Sequence, residues 1–447
     1  MRSSLSFQVD HDFSDKLCLW LEQEELAMCF RGKGWQIDGS LLAGFGEYES
    51  FEETGLEKAK DFFQNTNDLL FCHLNYDVKN QLELLHSNNE DHLGFPELAF
   101  FVPEVIITLK EDEATFSFHK NRTGEQYIRQ CLDAIIGQQI KAIPGERISV
   151  NQRVKKAEYL NHLVTLKTHI QRGNIYQANF CQEFYWEGVS VSSATLFNEG
   201  FAAMQNPFSV FYKTGKKAVI SFSPERFLKV KDNIITSQPM KGTAPRSNDA
   251  IIDAANKEAL RTSEKERREN VMIVDLVRND LSHFATKASV KVPELYRIES
   301  YTRVHQMYST VTAELKPNTP IITALLKAFP MGSMTGAPKV RAMHILEELE
   351  HSKRGIYSGT IGFIQPDGSA DFNVVIRSLI YNEENKYLSC HAGGGITDLS
   401  DPEAEYEECM VKVTPLLELV QKHFTQSNTT FLPLKDEKTA SLILPTA

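Results

Sequence analysis

Two predicted helices each carry a pair of glutamates on the face that is expected to enter the core. No other sequence feature constrains the fold of this chain as strongly. In the first helix, Ile273 and Val277 lie on one stripe, which runs back at helical spacing to Glu269 and Glu266. The face that enters the core therefore also carries two carboxylates. Ser263 and Glu266 match a capping box, which accounts for one of these acids without a ligand.

A second segment repeats this arrangement. Glu405 and Glu408 have the same spacing of three residues and follow Asp401 and Pro402, which suit a helix cap and first turn. The helix dipole also favours acids in a first turn. Four inward carboxylates repel one another unless a cation lies between them. Ligands that are all oxygen indicate a hard divalent ion, and few protein ligands plus a bound substrate anion favour Mg²⁺ over Ca²⁺. Lys412, four residues after Glu408, forms either a helical ion pair or a cation aimed at a substrate carboxylate.

Other candidate residues are ambiguous when each is taken alone. The glycines at 393–395 follow a predicted strand, where their N–H groups can approach an anion or simply form a turn. Arg377 in an apolar strand is either a solvated charge or a carboxylate clamp. His305 is more simply a satisfied polar residue, and Glu225 could pair with Arg226.

Lys241 has two interpretations. It lies in the segment Gln-Pro-Met-Lys-Gly-Thr, beside a flexible Gly-Thr pair. A lysine in such a segment can be a surface charge. It can also be a nucleophile on a loop that meets a ligand.

Composition excludes several classes of protein. The chain has 447 residues, 42% of them hydrophobic, and a net charge of −11 with acids and bases mixed along it. No basic stripe alternates with aromatic residues, so we expect no nucleic-acid partner. Seven widely spaced cysteines without a CxxC pair argue against a disulfide framework and fit a cytoplasmic location. We find neither a signal-peptide pattern nor a run of about 20 apolar residues, so we expect no membrane partner.

A series of ordered segments between about residues 120 and 420 resembles the chorismate-utilising enzymes. This family includes the anthranilate, aminodeoxychorismate, isochorismate and salicylate synthases. The matching segments are residues 173–179, 223–227, 239–243, 269–280, 332–339, 354–359, 376–378, 392–396 and 401–408.

The resemblance implies an α+β fold, with one large domain of two packed, mainly antiparallel sheets and helices on the outside. It divides the chain into a weakly matching N-terminal part at 1–120 and a chorismate-binding catalytic region at 121–424. Periodicity is lost over 425–447, which we expect to be a loose tail.

The resemblance also assigns site residues. It implies a Mg²⁺ cofactor bound directly by Glu269 and Glu408, and directly or through water by Glu266 and Glu405. Glu225 matches a general acid. The implied chorismate-binding residues are Tyr357 and Arg377 for the enolpyruvyl carboxylate, Gly393, Gly395 and Lys412 for the ring carboxylate, and Gly242, Thr243 and His305 around the ring.

Two positions divide the family. Members that use water carry a lysine base where this chain has Gln177, and an amide cannot act as that base, so ammonia is the expected nucleophile. Anthranilate synthases have alanine at the position of Lys241, whereas aminodeoxychorismate synthases have lysine. The expected reaction is therefore amino-group transfer to chorismate, giving 4-amino-4-deoxychorismate for para-aminobenzoate and folate synthesis through a covalent adduct on Lys241.

Alternatives to this reaction remain. The nearest is that of anthranilate synthase component I. A non-catalytic relative is disfavoured because the acidic pairs, Lys241 and Glu225 are all present. No glutaminase segment is evident, so we expect a separate glutamine amidotransferase subunit to supply ammonia.

Overall fold

The structure is a computed structural model that describes residues 2–52, 55–139, 148–301 and 304–425. Of the tail predicted over 425–447, Thr425 is instead the last residue of a helix, and residues 426–447 lie outside the described residues. The strands are β1 (Ser3–Gln8), β2 (Leu26–Arg31), β3 (Leu41–Phe51), β4 (Leu70–Leu74), β5 (Leu98–Lys110), β6 (Glu113–Phe118), β7 (Asn151–Gln152), β8 (Gln177–Glu187), β9 (Phe208–Thr214), β10 (Lys217–Ser223), β11 (Arg226–Lys231), β12 (Ile234–Gln238), β13 (Met240–Pro245), β14 (Lys291–Ser300), β15 (Val304–Glu314), β16 (Gly336–Ala337), β17 (Thr360–Ile364), β18 (Ala370–Asn373), β19 (Ser378–Asn382) and β20 (Tyr387–Ile396). The helices are α1 (Phe13–Leu21), α2 (Leu56–Asn65), α3 (Lys79–Leu82), α4 (Glu125–Ile136), α5 (Lys156–Gln171), α6 (Ser193–Met204), α7 (Ala250–Thr262), α8 (Glu264–Ser282), α9 (Ile321–Ala328), α10 (Lys339–Leu349) and α11 (Pro402–Thr425).

Strand β5 joins two antiparallel sheets. It pairs along most of its length with β3, while its second half pairs with β6 and its first half with β4. From β3 the first sheet continues through β2, β9, β10, β19, β20 and β8. From β4 the second sheet continues through β17, β18, β11, β12 and β15, with β13 and β14 both paired to β15. The predicted α+β class is confirmed, and the two sheets are continuous through one long strand.

Alternating residues of the first sheet face two separate cores. In β2, Met28 and Phe30 belong to the core between the sheets, whereas Ala27 and Cys29 face a second core beneath helices including α1, α5, α6 and α11. Phe30 packs edge-to-face on rings of the second sheet in β4 and β17, with centroid separations of 5.0 and 5.3 Å. Such aromatic pairs contribute about 0.5–1.5 kcal/mol each beyond burial. The sheets are therefore held face to face by interdigitated apolar side chains.

The two acidic helices begin as their sequences predict. Ser263 caps α8 by accepting a hydrogen bond from the backbone N–H of Glu266, and Ile273 and Val277 are buried. At the start of α11 the Asp401 carboxylate accepts a hydrogen bond from a backbone N–H in the first turn. Helix α8 packs on β13 and β15 of the second sheet, and α11 packs on β20 of the first. Their glutamates therefore approach each other where the two sheets meet.

Residues 1–120 contribute β1–β6 and so take part in both sheets. The predicted division of the chain at residue 120 stays a prediction. In the described ranges, no helix combines the length and apolar character needed to cross a bilayer.

Candidate active site

A cavity of about 100 Å³ lies between β13 of the second sheet, β20 of the first, and helices α8 and α11. Twelve of the fourteen site residues expected from the sequence line it: Glu225, Lys241, Gly242, Thr243, Glu266, Glu269, Tyr357, Arg377, Gly393, Gly395, Glu408 and Lys412. His305 and Glu405 are not among its lining residues. Segments up to 187 residues apart in sequence thus form one polar cavity.

The Glu269 side chain at the cavity wall is buried, and one of its carboxylate oxygens accepts no hydrogen bond from the described residues. Its Oε1 atom has no hydrogen-bond partner within the described part of the chain. Burial raises the pKa of Glu269 to about 7; Lys241 opposes this rise and Glu266 adds to it. Burial and the charge of Glu408 likewise raise the pKa of Glu266. A divalent cation here would relieve the repulsion that these groups experience when ionised.

Glu408 and Lys412 form an ion pair one turn apart on α11. The Lys412 Nζ lies 2.7 Å from the Glu408 Oε1 and donates a hydrogen bond to the Gly393 carbonyl at 2.9 Å. Lys412 lowers the pKa of Glu408 to about 2, which outweighs the opposing effect of burial. The helical ion pair expected from the sequence is therefore present, and Lys412 also lines the cavity. Its role as a cation for a substrate carboxylate stays a prediction.

Glu405 lies beside these cavity residues, but its carboxylate is hydrogen-bonded to other side chains. Its Oε1 accepts hydrogen bonds from the Ser400 hydroxyl at 2.7 Å and the Lys265 ammonium at 3.1 Å. The same ammonium lies 3.9 Å from the Glu269 Oε1. Sequence analysis missed Lys265, which adds a positive charge between the two acidic helices.

Lys241 projects from β13 towards the glycine strand β20. A Cβ atom added at Gly395 would lie 2.9 Å from the Lys241 Nζ and 3.8 Å from the Glu269 Oε2. Gly395 therefore leaves space for the lysine amine beside the acidic helices. The neighbouring Gly242 has a φ of +88°, and a Cβ there would lie 2.9 Å from the Glu266 Oε2. Glycine at 242 relieves both backbone strain and this steric conflict.

Glu225 is buried in the turn between β10 and β11. Its Oε1 accepts a hydrogen bond from the Ser333 hydroxyl at 2.7 Å. Arg226 instead pairs with Asp371, with an Nε–Oδ1 distance of 2.8 Å, so the simpler interpretation of Glu225 is wrong. Burial raises the pKa of Glu225 to about 7, although Ser333 and Lys241 act in the opposite direction. At neutral pH this side chain can therefore hold a proton for transfer.

Arg377 has the features of an anion-binding residue. Its φ is +52°, a strained conformation for a residue with a side chain. No hydrogen bond or ion pair engages its guanidinium group among the residues that the structure describes. Desolvation lowers the pKa of Arg377, and the neighbouring Tyr357 and Glu408 oppose that change. A partly buried guanidinium at a cavity wall, with no partner among the described residues, is suited to a carboxylate ligand.

Sequence analysis also missed His391, which precedes the glycine run on β20 and lines the cavity. Its ring stacks on Tyr357 with centroids 4.8 Å apart. Neither ring nitrogen has a hydrogen-bond partner in the described ranges, and burial lowers the pKa of His391 to about 4. The imidazole is therefore neutral at physiological pH. In the sequence, a single histidine beside glycines does not indicate that its side chain lines a cavity.

His305 and Gln177 lie outside the cavity wall. His305 lies on β15, where its Nε2 is 3.0 Å from the Asp253 Oδ1 and its Nδ1 is 2.8 Å from the Ser300 hydroxyl. Its expected position beside the substrate ring stays a prediction. Gln177 is buried on β8 and is also absent from the lining residues.

A model of the chorismate binding enzyme family matches residues 20–418. The chain belongs to this family. Aminodeoxychorismate synthase component 1 from Escherichia coli K12 is 39% identical to this chain, in an alignment that covers 78% of this chain and 76% of that protein. The corresponding protein from Salmonella typhimurium is 40% identical, but the match spans only 59% of this chain and 57% of that relative. Anthranilate synthase component 1 from Saccharolobus solfataricus is 33% identical, covering 77% and 78% of the two chains.

Solved structures show the same fold. Anthranilate synthase component I from Streptococcus pneumoniae TIGR4 superposes with a TM-score of 0.72 at 23% identity, covering 92% of this chain and 91% of that one. MenF, the menaquinone-specific isochorismate synthase from Escherichia coli, gives a TM-score of 0.73 at 17% identity, with coverages of 94% and 95%. At these identities the likeness establishes only the fold of this chorismate-binding enzyme.

The charges around the cavity suit an anionic ligand. Arg377 and Lys412 present positive charge from two different elements, and Lys241 adds an amine on a third. The acidic helices supply the opposite charge along one wall. The cationic groups can therefore bind carboxylates of a ligand directly, and the oxygens of the glutamates remain available for a cation.

Proposed function

We propose that this chain converts chorismate and ammonia to 4-amino-4-deoxychorismate. The observation that carries the proposal is the position of Lys241. Its amine lies against Gly395 and near the acidic helices, and Glu225 lines the same cavity. Relatives named aminodeoxychorismate synthase component 1, at 39–40% identity, support the same reaction. Anthranilate synthase component I is the alternative, and the relative with that name is less similar.

In the proposed mechanism, Lys241 is the nucleophile. Its neutral amine attacks C2 of chorismate, the ring double bonds shift, and the C4 hydroxyl leaves as water with a proton from Glu225. Ammonia then attacks C4, the double bonds shift back, and the bond between C2 and the lysine nitrogen breaks. The extra proton on the incoming nitrogen is lost, and Lys241 is regenerated as the free amine. Glu225 is suited to its role because burial favours its protonated form.

The remaining lining residues would hold the two carboxylates of chorismate. We assign Arg377 and Tyr357 to the enolpyruvyl carboxylate, because the Arg377 guanidinium is unpaired in the described structure. Lys412 and the backbone at Gly393 and Gly395 would hold the ring carboxylate. The ring itself would contact Gly242, Thr243 and His305, of which Gly242 and Thr243 line the cavity.

The carboxylate set fits Mg²⁺, the cofactor that we assign to this site. The buried Oε1 of Glu269 accepts no hydrogen bond within the described residues, which supports this fit, as do the oxygen-only donors around it. Glu269 and Glu408 would bind the ion directly, and Glu266 directly or through water. Glu405 is engaged by Lys265 and Ser400, which favours contact through water. When bound, the ion would neutralise the ring carboxylate of chorismate.

Glu269→Gln is expected to weaken Mg²⁺ binding at least tenfold, or about 1.4 kcal/mol, because the amide removes one anionic ligand. Calorimetric titration with Mg²⁺ in the presence and absence of chorismate measures this change. Glu264→Gln is the matched control, since Glu264 lies on the same helix but is exposed and paired with Arg268. Equal Mg²⁺ affinities for the wild type and Glu269→Gln would contradict the assignment.

We further propose that a separate glutamine amidotransferase subunit supplies the ammonia and that the protein acts in the cytoplasm. The relatives are named as a component 1, which supports a two-component assembly. All seven cysteines are buried free thiols, in keeping with a reducing compartment.

The decisive experiment identifies the product. The purified chain should convert chorismate, in the presence of Mg²⁺ and an ammonium salt, to an aminated product that retains the enolpyruvyl group. Mass spectrometry separates this product from anthranilate, which has lost pyruvate. Formation of anthranilate without a lyase would contradict the proposal and support the alternative. Glutamine should replace the ammonium salt only when a glutaminase subunit is added.

A further inference from the structure

A second group of possible metal ligands lies apart from the acidic helices. Glu158 and His162 are one turn apart on α5, and His351 follows the end of α10. One potential ligand atom from each residue lies within 4.8 Å of the others. The His351 Nε2 is 3.8 Å from the Glu158 Oε1, and the two imidazole rings have centroids 5.3 Å apart. None of these residues has a role in the reaction proposed above.

His162 is prepared to act as a ligand. Its Nδ1 atom is buried and has no hydrogen-bond partner among the residues that the structure describes. Its ring packs edge-to-face on Phe180, with centroids 5.5 Å apart, which limits its rotation. A ring nitrogen without a partner can offer its lone pair to a metal ion.

The donor types distinguish this cluster from the oxygen-rich cavity. Two imidazole nitrogens and one carboxylate suit Zn²⁺ or a similar transition-metal ion, whereas Mg²⁺ prefers oxygen ligands. Tetrahedral bonds of about 2.1 Å place neighbouring ligand atoms about 3.4 Å apart. The Glu158–His351 distance of 3.8 Å is close to this value, and both side chains are at least 40% exposed and can adjust.

We propose that Glu158, His162 and His351 form a transition-metal site with three protein ligands and a fourth position open to water. An ion there would connect α5 to the segment after α10. This connection would stabilise the local structure without taking part in the chemistry of the cavity.

The segment after α10 also supports the cavity wall. Glu350, adjacent to His351, accepts hydrogen bonds from the Cys181 backbone at 3.1 Å and from Arg354 at 2.6 Å. Arg354 donates in turn to the carbonyls of Asn179 and Met334, both of which line the cavity. A metal ion at the cluster would thus restrain a neighbour of the residues that shape the proposed chorismate site.

Electron paramagnetic resonance with Cu²⁺ provides a direct test. The full chain, kept in excess Mg²⁺ to occupy the carboxylate site, should bind one equivalent of Cu²⁺ with nitrogen hyperfine structure from two imidazoles. His162→Gln and His351→Gln should each remove one nitrogen from this spectrum and weaken Zn²⁺ binding at least tenfold by calorimetry. His344→Gln is the matched control, because His344 is an exposed histidine on α10 outside the cluster.

The proposal is overturned if wild-type protein gives no imidazole-coordinated signal, or if both cluster variants retain the wild-type spectrum. Binding only through oxygen ligands would likewise refute it. Should His162→Gln fail to fold, Glu158→Gln and His351→Gln still provide the test, because both side chains are substantially exposed. Neither result depends on which product the enzyme makes from chorismate.

Discussion

Replacing Lys241 with alanine is expected to abolish formation of 4-amino-4-deoxychorismate, with kcat/KM reduced by about 1,000-fold or more. The substitution removes the amine that attacks C2, and this loss corresponds to at least about 4 kcal/mol of barrier. Product formation from chorismate and an ammonium salt, followed by chromatography and mass spectrometry, measures the effect. Lys257→Ala, which removes an exposed lysine on α7, should retain activity.

The covalent role of Lys241 has a second readout that does not require turnover. Wild-type protein incubated with chorismate and Mg²⁺, without ammonia, should gain the mass of chorismate less one water. Peptide mapping should locate the modification at Lys241. Full activity of Lys241→Ala, or an adduct at another residue, would refute the mechanism.

Glu225→Gln is expected to reduce kcat by about 10²–10⁴-fold, because the amide cannot donate the proton that assists departure of the C4 hydroxyl. The pKa of Glu225 is about 7, so its proton is present below that pH and lost above it. In the wild type, kcat should therefore fall as the pH rises through about 7. The residual activity of the variant should lack this dependence.

Stability provides a separate check on the raised pKa of Glu225. Between its ordinary value of 4.5 and about 7, the folded state holds a proton that the unfolded state has released. This group therefore makes the wild type less stable as the pH rises through that interval. Between pH 5 and pH 8, thermal unfolding should show a smaller loss of stability for Glu225→Gln than for the wild type. Identical pH dependences of stability and kcat in both proteins would contradict the assignment.

Local sequence patterns predicted much of the acidic wall. The apolar spacing of Ile273 and Val277 indicated which face of α8 is buried, and that face carries Glu269 inward as expected. Helical periodicity is a property of neighbouring residues, so it can be read without knowing the fold. The resemblance then identified the residues outside the two acidic helices, eight of which line the same cavity.

Within each acidic pair, however, the two carboxylates do not have equivalent surroundings. Residues three apart on a helix are separated by about 60° around its axis, so their side chains meet different neighbours. Glu408 consequently pairs with Lys412 at the cavity, whereas Glu405 meets Ser400 and Lys265. Spacing indicated two inward acids but did not distinguish their partners.

The sequence by itself determined the α+β class, the two acidic faces and, through resemblance, the family and most candidate site residues. Only the tertiary structure decided that Ser333 bonds to Glu225, that Lys265 lies between the acidic helices, and that His391 stacks on Tyr357. The Ser333–Glu225 contact joins residues 108 positions apart. Such contacts depend on how the two sheets pack, because folding brings together side chains that are far apart in the sequence. The sequence around one of these residues does not indicate the other.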